Sequence, residues 1–388
     1  MSKKILVIGN GFDIEHGLPT QYTDFLKALR WFKKYCDDKR DLVSENRSWE
    51  HGQALYDSLK ESYVNHEFYN LGINNYWTEH FLRIYNPCEN ATKGGIDFEG
   101  EILEVIERIS NISFSQCINS DDYRNQALED KDSDYVNWFN HLEEKLKQNI
   151  LNYDNCSISE YLYDELEKFT RAFEIYCCFY VDKISNDKNS SMQKIIRARY
   201  GVFDHVLSFN YTDTYENVYG TSYVFGESLG NGQKDIPLCY IHGKAQEDQS
   251  KTNMIIGINK SSEDKEKDND CTFLKFEKYF QRIYKRTESE YKDWINSECE
   301  VYFFGHSFGE SDFDIIRDIL LNDNCKNIIL YHDEKLESEK IQQTKKIIGE
   351  DEFKKRVHEG KIRFEHQESL NTSPFTFEEW RRGFKTHK

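Results

Sequence analysis

Four short stretches of this chain combine residue types that can handle protons or hold phosphate and ribose. They are Gly9-Asn10-Gly11-Phe12-Asp13, Ser208-Phe209-Asn210-Tyr211-Thr212-Asp213, Ile241-His242-Gly243 and Gly305-His306-Ser307. Glycines without a Cβ let a backbone come close to a pyrophosphate and turn its amides toward the charge. Asparagine both donates and accepts hydrogen bonds, an imidazole titrates near neutral pH, and a seryl hydroxyl does either job. The glycine loop departs from the dinucleotide fingerprint G-x-G-x-x-G, because after Gly9 and Gly11 the next glycine is Gly17. On its residues alone, the loop reads equally as a phosphate cradle or as a ligand-free strand-to-helix turn.

Each motif closes an apolar run of strand type, so a sheet must position them. Residues 4–8 (KILVI) are continuous enough for a strand covered on both faces. Further strands are predicted at 203–209, 237–241, 254–258, 300–304, 327–331 and 361–364, each bounded by polar residues or glycine. Tyr22, Phe25, Leu26, Leu29 and Phe32 recur at helical spacing and predict an amphipathic helix over 21–36. Helical patterns also lie at 273–296, 312–321 and 335–349. Alternation of this kind predicts an α/β fold with a largely parallel sheet and helices on both faces. Ligands then bind outside the carboxyl ends of the strands, where all four motifs fall. From about 40 to 200 helical periodicity dominates, at 102–109, 135–151 and 158–184, and this region reads as a large helical insertion. The expected organisation is therefore a sheet domain of 1–40 and 200–388 interrupted by a helical domain of 41–199. Residues 260–270 (KSSEDKEKDND) read as an exposed, mobile acidic loop.

Composition narrows the function. The chain has 388 residues, 38% hydrophobic and 31% charged, with a net charge of −18. That acidity disfavours a broad nucleic-acid surface, and the basic tail at Arg381, Arg382, Lys385 and Lys388 reads as a solvated end. No apolar stretch is long enough to span a membrane, and the first apolar run is too short for a signal peptide, so a cytoplasmic location is expected. The ten cysteines show no C-x-x-C spacing and are assigned no metal or redox chemistry. His16 and His306 read as structural hydrogen-bonding residues, Asp312 as a helix N-terminal acid, and Phe209, Tyr211 and Phe304 as core.

Gly9 to Pro19, G-N-G-F-D-I-E-H-G-L-P, resembles without a gap the sirtuin opening pattern G-A-G-I-S-x-x-S-G-I-P. The later motifs follow in the same order: S-F-N for T-Q-N, I-H-G for L-H-G, and G-H-S for G-T-S. Taken together, GNGFDIEHGLPTQYTDF, SFNYTDTYE, IHG and FFGHSFGESD resemble the AbiH family of phage-abortive-infection proteins, over residues 1–30 and about 203–320.

The resemblance implies a sirtuin-like, Rossmann-type domain that binds NAD. Asn210 would then hold the ribose hydroxyls or an attacking water, with His242 as general base. Gly305 and Ser307 would bind phosphate or ribose through an amide and a hydroxyl, with His306 between them. The cofactor would further touch Gly9, Asn10, Gly11, Phe12, Asp13 and Asp213. Asp13 would either cap the following helix or meet the ribose. Sirtuins carry an Asp at the position of Thr212, one residue before Asp213, and their zinc cysteines have no counterpart here. Hydrolysis of NAD to ADP-ribose and nicotinamide, without a metal, is expected rather than deacylation. The implied role is an antiphage effector answering an unknown phage trigger, with self-association left open. Two other readings are a non-catalytic NAD or ADP-ribose sensor and a toxin acting on nucleic acid.

Overall fold

The computed structural model describes residues 2–37, 52–85, 96–111, 155–185, 203–220, 222–224, 233–259, 273–287 and 290–366. The expected helix over 135–151, the acidic run 260–270 and the basic tail at 381–388 lie outside them. In chain order the elements begin with β1 (Lys3–Ile8), α1 (Asn10–Glu15) and α2 (Tyr22–Asp37). Helices α3 (Gly52–Glu61), α4 (Asn65–Phe68), α5 (Tyr76–Ile84), α6 (Phe98–Asn111) and α7 (Asn155–Tyr176) follow. Next come β2 (His205–Ser208), α8 (Thr214–Tyr219), β3 (Ser222–Val224), β4 (Gln233–Asp235) and β5 (Leu238–Tyr240). The remainder comprises α9 (Lys278–Tyr284), α10 (Tyr291–Ile295), β6 (Cys299–Phe304), α11 (Phe313–Leu321), β7 (Cys325–His332), α12 (Glu337–Ile348), α13 (Glu350–His358) and β8 (Ile362–His366).

Six strands form one all-parallel sheet in the order β5-β2-β1-β6-β7-β8, while β3 and β4 pair antiparallel as a separate ribbon. Strand β1 is central, and Ile5 to Ile8 are all buried, as a strand covered on both faces must be. Its side chains alternate between two cores. Ile5 and Val7 point with Val301, Phe303, Ile328 and Leu330 toward α10, α11 and α12. Leu6 and Ile8 point with Tyr302, Phe304 and Ile329 toward Phe12 of α1 and Tyr215, Val218 and Tyr219 of α8.

A third core joins α2 to α3, α5, α6 and α7 around Phe25, Phe81, Phe98, Phe169 and Tyr176, and takes in Met254, Ile256 and Ile258. The predicted strand at 254–258 is therefore corrected. This run lies among helices, and a single bridge from Ile258 to Glu277 is its only β pairing among the described residues. A short apolar run signals burial, and burial alone does not select a strand. The predicted helix over 273–296 is likewise divided, by Arg286 in a left-handed conformation (φ 52°), into α9 and α10. Helix periodicity carried the pattern across a turn that has no glycine or proline to mark it.

Candidate functional site

The sheet register places the four motifs on one row. Ile8 pairs with Ser208 on one side and Phe304 on the other, and Ser208 pairs with Tyr240. Asn10, Asn210, His242 and His306 each stand two residues beyond that row, at the carboxyl ends of β1, β2, β5 and β6. Parallel pairing thus brings together residues that are far apart in sequence.

His242 is almost fully buried, and its Nε2 lies 2.8 Å from Asp312 Oδ1. Burial would raise the Asp312 carboxyl, but Lys278, His242 and His306 around it hold it well below the usual carboxylate range. Asp312 is therefore an ionised acceptor, and the His242 proton sits on Nε2. The ring's Nδ1, also buried, makes no hydrogen bond among the described residues. Burial, helped by Lys278, pushes the His242 ring down to about 4, against the pull of Asp312. The imidazole is thus neutral at pH 7, and the expectation that it titrates near neutrality is corrected.

Asp312 also receives Lys278 Nζ at 3.1 Å, and its Oδ2 lies 3.6 Å from His306 Nε2. It occupies the N-cap position of α11 without making a capping hydrogen bond. Its place as a helix N-terminal acid holds, and the same carboxylate is shared by two imidazoles and an ammonium. His306 accepts the Phe308 N–H at Nδ1 (3.0 Å) and packs edge-on against Phe209, ring centroids 4.2 Å apart. Burial pushes this ring down to about 3. Lys340 Nζ donates to the His306 carbonyl and lies over the Phe308 ring.

On the other side of Asn210, Asp13 sits inside α1 and accepts the Thr212 hydroxyl at 2.6 Å. Thr212 in turn lies 3.0 Å from Thr214 Oγ1. Burial pushes the Asp13 carboxyl up to about 6, although Thr212, Thr214 and the nearby Asn210 amide pull it back. Asp13 Oδ1 and both side-chain polar atoms of Asn210 are buried and make no hydrogen bond among the described residues. Three neighbouring residues on the row and its flank, Asp13, Asn210 and His242, thus carry unsatisfied polar atoms. Leaving such atoms unpaired in a protein interior costs about 1–3 kcal/mol each. A polar ligand that pairs with them recovers that cost.

The glycines have a different task. Gly9 N donates to Phe304 O (3.1 Å), Gly11 N to Gly305 O (2.8 Å) and Phe12 N to Gly9 O (2.8 Å). A Cβ on Gly305, whose φ is +65°, would lie 2.2 Å from Phe12 N, and one on Gly11 would lie 2.8 Å from Gly305 Cα. Glycine is required so that the β1 and β6 loops can pack backbone against backbone. Those three N–H groups are consumed within the protein.

Asn10 and Ser307 are exposed at this rim, and the Asn10 Oδ1 accepts the Thr20 hydroxyl at 2.6 Å. Asp213 stands apart, ion-paired with Lys244 at 2.7 Å, and its N–H donates to Asp182 Oδ1. His16 is structural as read, its ring nitrogens bonded to the Phe12 carbonyl and the Tyr219 hydroxyl. Tyr211 donates to the Ile255 carbonyl, and Phe209 and Phe304 are buried. No sequence signal marks Lys278, or Glu99, which lies 2.6 Å from it. Each is one of several charged residues in its stretch, and only the fold reveals which of them is buried.

No group of three or more His, Cys, Asp or Glu side chains that could hold a metal ion occurs among the described residues. No described helix is long and apolar enough to cross a membrane. A family model described as bacteriophage abortive infection AbiH matches residues 5–332. No curated protein matches the chain.

Proposed function

This chain belongs to the AbiH family of bacteriophage abortive-infection proteins, and from that premise we propose that it is the effector of the response, hydrolysing NAD to ADP-ribose and nicotinamide. The observation that carries this reading is the buried His242–Asp312 pair, its free imidazole nitrogen standing on the same register row as the unpaired Asn210 amide. The strand order β5-β2-β1-β6-β7-β8 supports it, since it reverses between β1 and β6 in the manner of doubly wound sheets that bind dinucleotides at that crevice. So does the sirtuin-like order of the motifs.

Cleavage of the nicotinamide–ribose bond passes through an oxocarbenium-like state. The C1′–N bond breaks and its electron pair leaves with nicotinamide. A water oxygen bonds C1′ and passes its proton to His242 Nδ1. Asp312 accepts the Nε2–H hydrogen bond without taking the proton, fixes the tautomer and stabilises the imidazolium as it forms. Asn210 orients the ribose or the water, and Asp13 Oδ1 accepts a ribose hydroxyl. The remainder of the dinucleotide lies along the Gly9–Asp13 and Gly305–Ser307 loops, where Asn10 and Ser307 offer exposed donors. A base held down to about 4 is a weak one, which suits a reaction driven by leaving-group departure rather than by the force of the nucleophile.

Purified protein incubated with NAD and lysate of phage-infected cells is expected to release nicotinamide. His242→Ala and Asn210→Ala are each expected to lower that rate by at least about 100-fold. Release at the wild-type rate by both variants would overturn the assignment. Saturable NAD binding without nicotinamide release would favour a sensor instead.

A further inference from the structure

Lys278 is one of the most deeply buried ammonium groups in the described structure, at 2% exposure, and it lies at the start of α9. Its nitrogen meets three acceptors: Glu99 Oε1 at 2.6 Å, Ser311 Oγ at 3.0 Å and Asp312 Oδ1 at 3.1 Å. An ammonium has three N–H donors, so the set is complete. The Asp312 oxygen that takes Lys278 is also the one that takes His242 Nε2. Glu99 belongs to α6, in the helical layer, and is mostly buried at 16% side-chain exposure. A chain of contacts therefore runs from the helical layer through Lys278 and Asp312 to the imidazole at the strand ends.

A buried Asp beside a buried His ordinarily draws a proton onto the ring, because the imidazolium–carboxylate pair is favoured. Here the carboxylate has a second, permanently charged partner. We propose that Lys278, itself anchored by Glu99, is a positioning residue for His242. It fixes the Asp312 carboxylate where it can accept Nε2–H, and it offsets the carboxylate charge so that Nδ1 keeps its lone pair. This inference rests on the reading of His242 as the base.

The other charges facing this centre act alongside Lys278. Arg282 on α9 disfavours protonation of His242. His306 reaches the second Asp312 oxygen, and Lys340 on α12 bears on His306. The Tyr22 and Tyr211 phenols lie near the Glu99 and Asp312 carboxylates, and burial pushes both phenols up. Glu99 is itself raised by burial and by Asp312, against the pull of Lys278. It is therefore the carboxyl of the set that takes up a proton first as the pH falls.

The test is ¹⁵N-histidine NMR of the full chain across pH, with His242 assigned by its loss in His242→Ala. In the wild type, His242 is expected to be the neutral Nε2–H tautomer at pH 7. In Lys278→Met, its protonation is expected to move up by at least one pH unit, a tenfold gain in proton affinity. Lys278→Arg keeps the charge and is expected to leave the midpoint close to wild type. Glu99→Gln, nearly isosteric, removes the competing carboxylate and is expected to shift the midpoint down several-fold in proton affinity. It also serves if Lys278→Met does not fold. A purely structural ion pair would lower the melting temperature in these variants while leaving the midpoint in place, and that result would overturn the proposal. The readout needs no NAD turnover, so a protein that leaves NAD intact yet shows the shifts would sink the functional reading and keep this one.

Discussion

At the residue scale, the chemistry depends on which lone pairs and N–H groups the fold has already used. The Gly9 and Gly11 amides are bonded within the protein, whereas His242 Nδ1, Asp13 Oδ1 and the Asn210 amide are not, among the described residues. Gly305 holds the two loops in contact, so Gly305→Ala brings both a left-handed backbone penalty and a collision with Phe12 N. It is expected to destabilise the protein by about 3 kcal/mol, measured by urea denaturation. Gly17 has a similar φ of +74° but open space around it, and Gly17→Ala is expected to cost only about 1 kcal/mol. Equal losses at the two sites would show that the loop contact contributes nothing. Asn210 and His242 were legible in sequence because each follows an apolar run and the runs share a direction. Asp312 was visible only as an acid before a helix, since nothing local records that its partners come from residues 242, 278 and 306. Lys278 and Glu99 left no trace, because each is one of several charges in its stretch and a charged side chain is ordinarily solvated.

Among the elements, a single capping residue ties α5 to α7. Asn75 caps α5 by accepting the Thr78 N–H, and its amide donates to the Glu165 carbonyl on α7. Asn75→Ala removes both bonds inside a core and is expected to cost about 2 kcal/mol, read from thermal or chemical unfolding. Asn75→Asp retains the cap acceptor alone and should recover only part of that loss. The parallel sheet was legible because strands covered on both faces read as nearly unbroken apolar runs. The same signal misled at 254–258, where an equally apolar run is buried against α7 and the Phe276 turn. The helix predicted over 273–296 ran through the Arg286 turn for want of any breaker residue. Helix α1 was read as loop, since Gly9 just before it and Gly11 in its first turn hide a helix of six residues.

The whole molecule carries a pH signature that follows from what it buries. His16, His242 and His306 are pushed down by burial to about 4, 4 and 3 from an ordinary value of 6.5. The unfolded chain therefore binds more protons than the folded one below about pH 6.5, and stability falls as pH drops through that window. Asp13, raised to about 6, has the opposite sign: the folded state holds its extra proton between about 4 and 6, so stability falls as pH rises there. Glu15, Glu99, Asp182 and Asp213 are raised by burial as well and act with Asp13, whereas Lys340, pushed down to about 7, and Asp312, held low, act with the imidazoles. Between pH 7 and pH 4.5 the melting temperature of His306→Gln is therefore expected to fall less than that of the wild type. An equal fall in the two proteins, read by calorimetry, would mean that His306 is already charged in the folded state. The central place of β1 has one more consequence, for how the protein is made. Lys3–Ile8 is synthesised well before either of its neighbours, β2 at His205–Ser208 and β6 at Cys299–Phe304. Contacts this distant in sequence form late, after the intervening chain has left the ribosome. Until Asp312 emerges, His242 has no carboxylate to orient it. A nascent or prematurely terminated chain that stops short of that point therefore lacks the His242–Asp312 pair, which forms only after translation has passed residue 312.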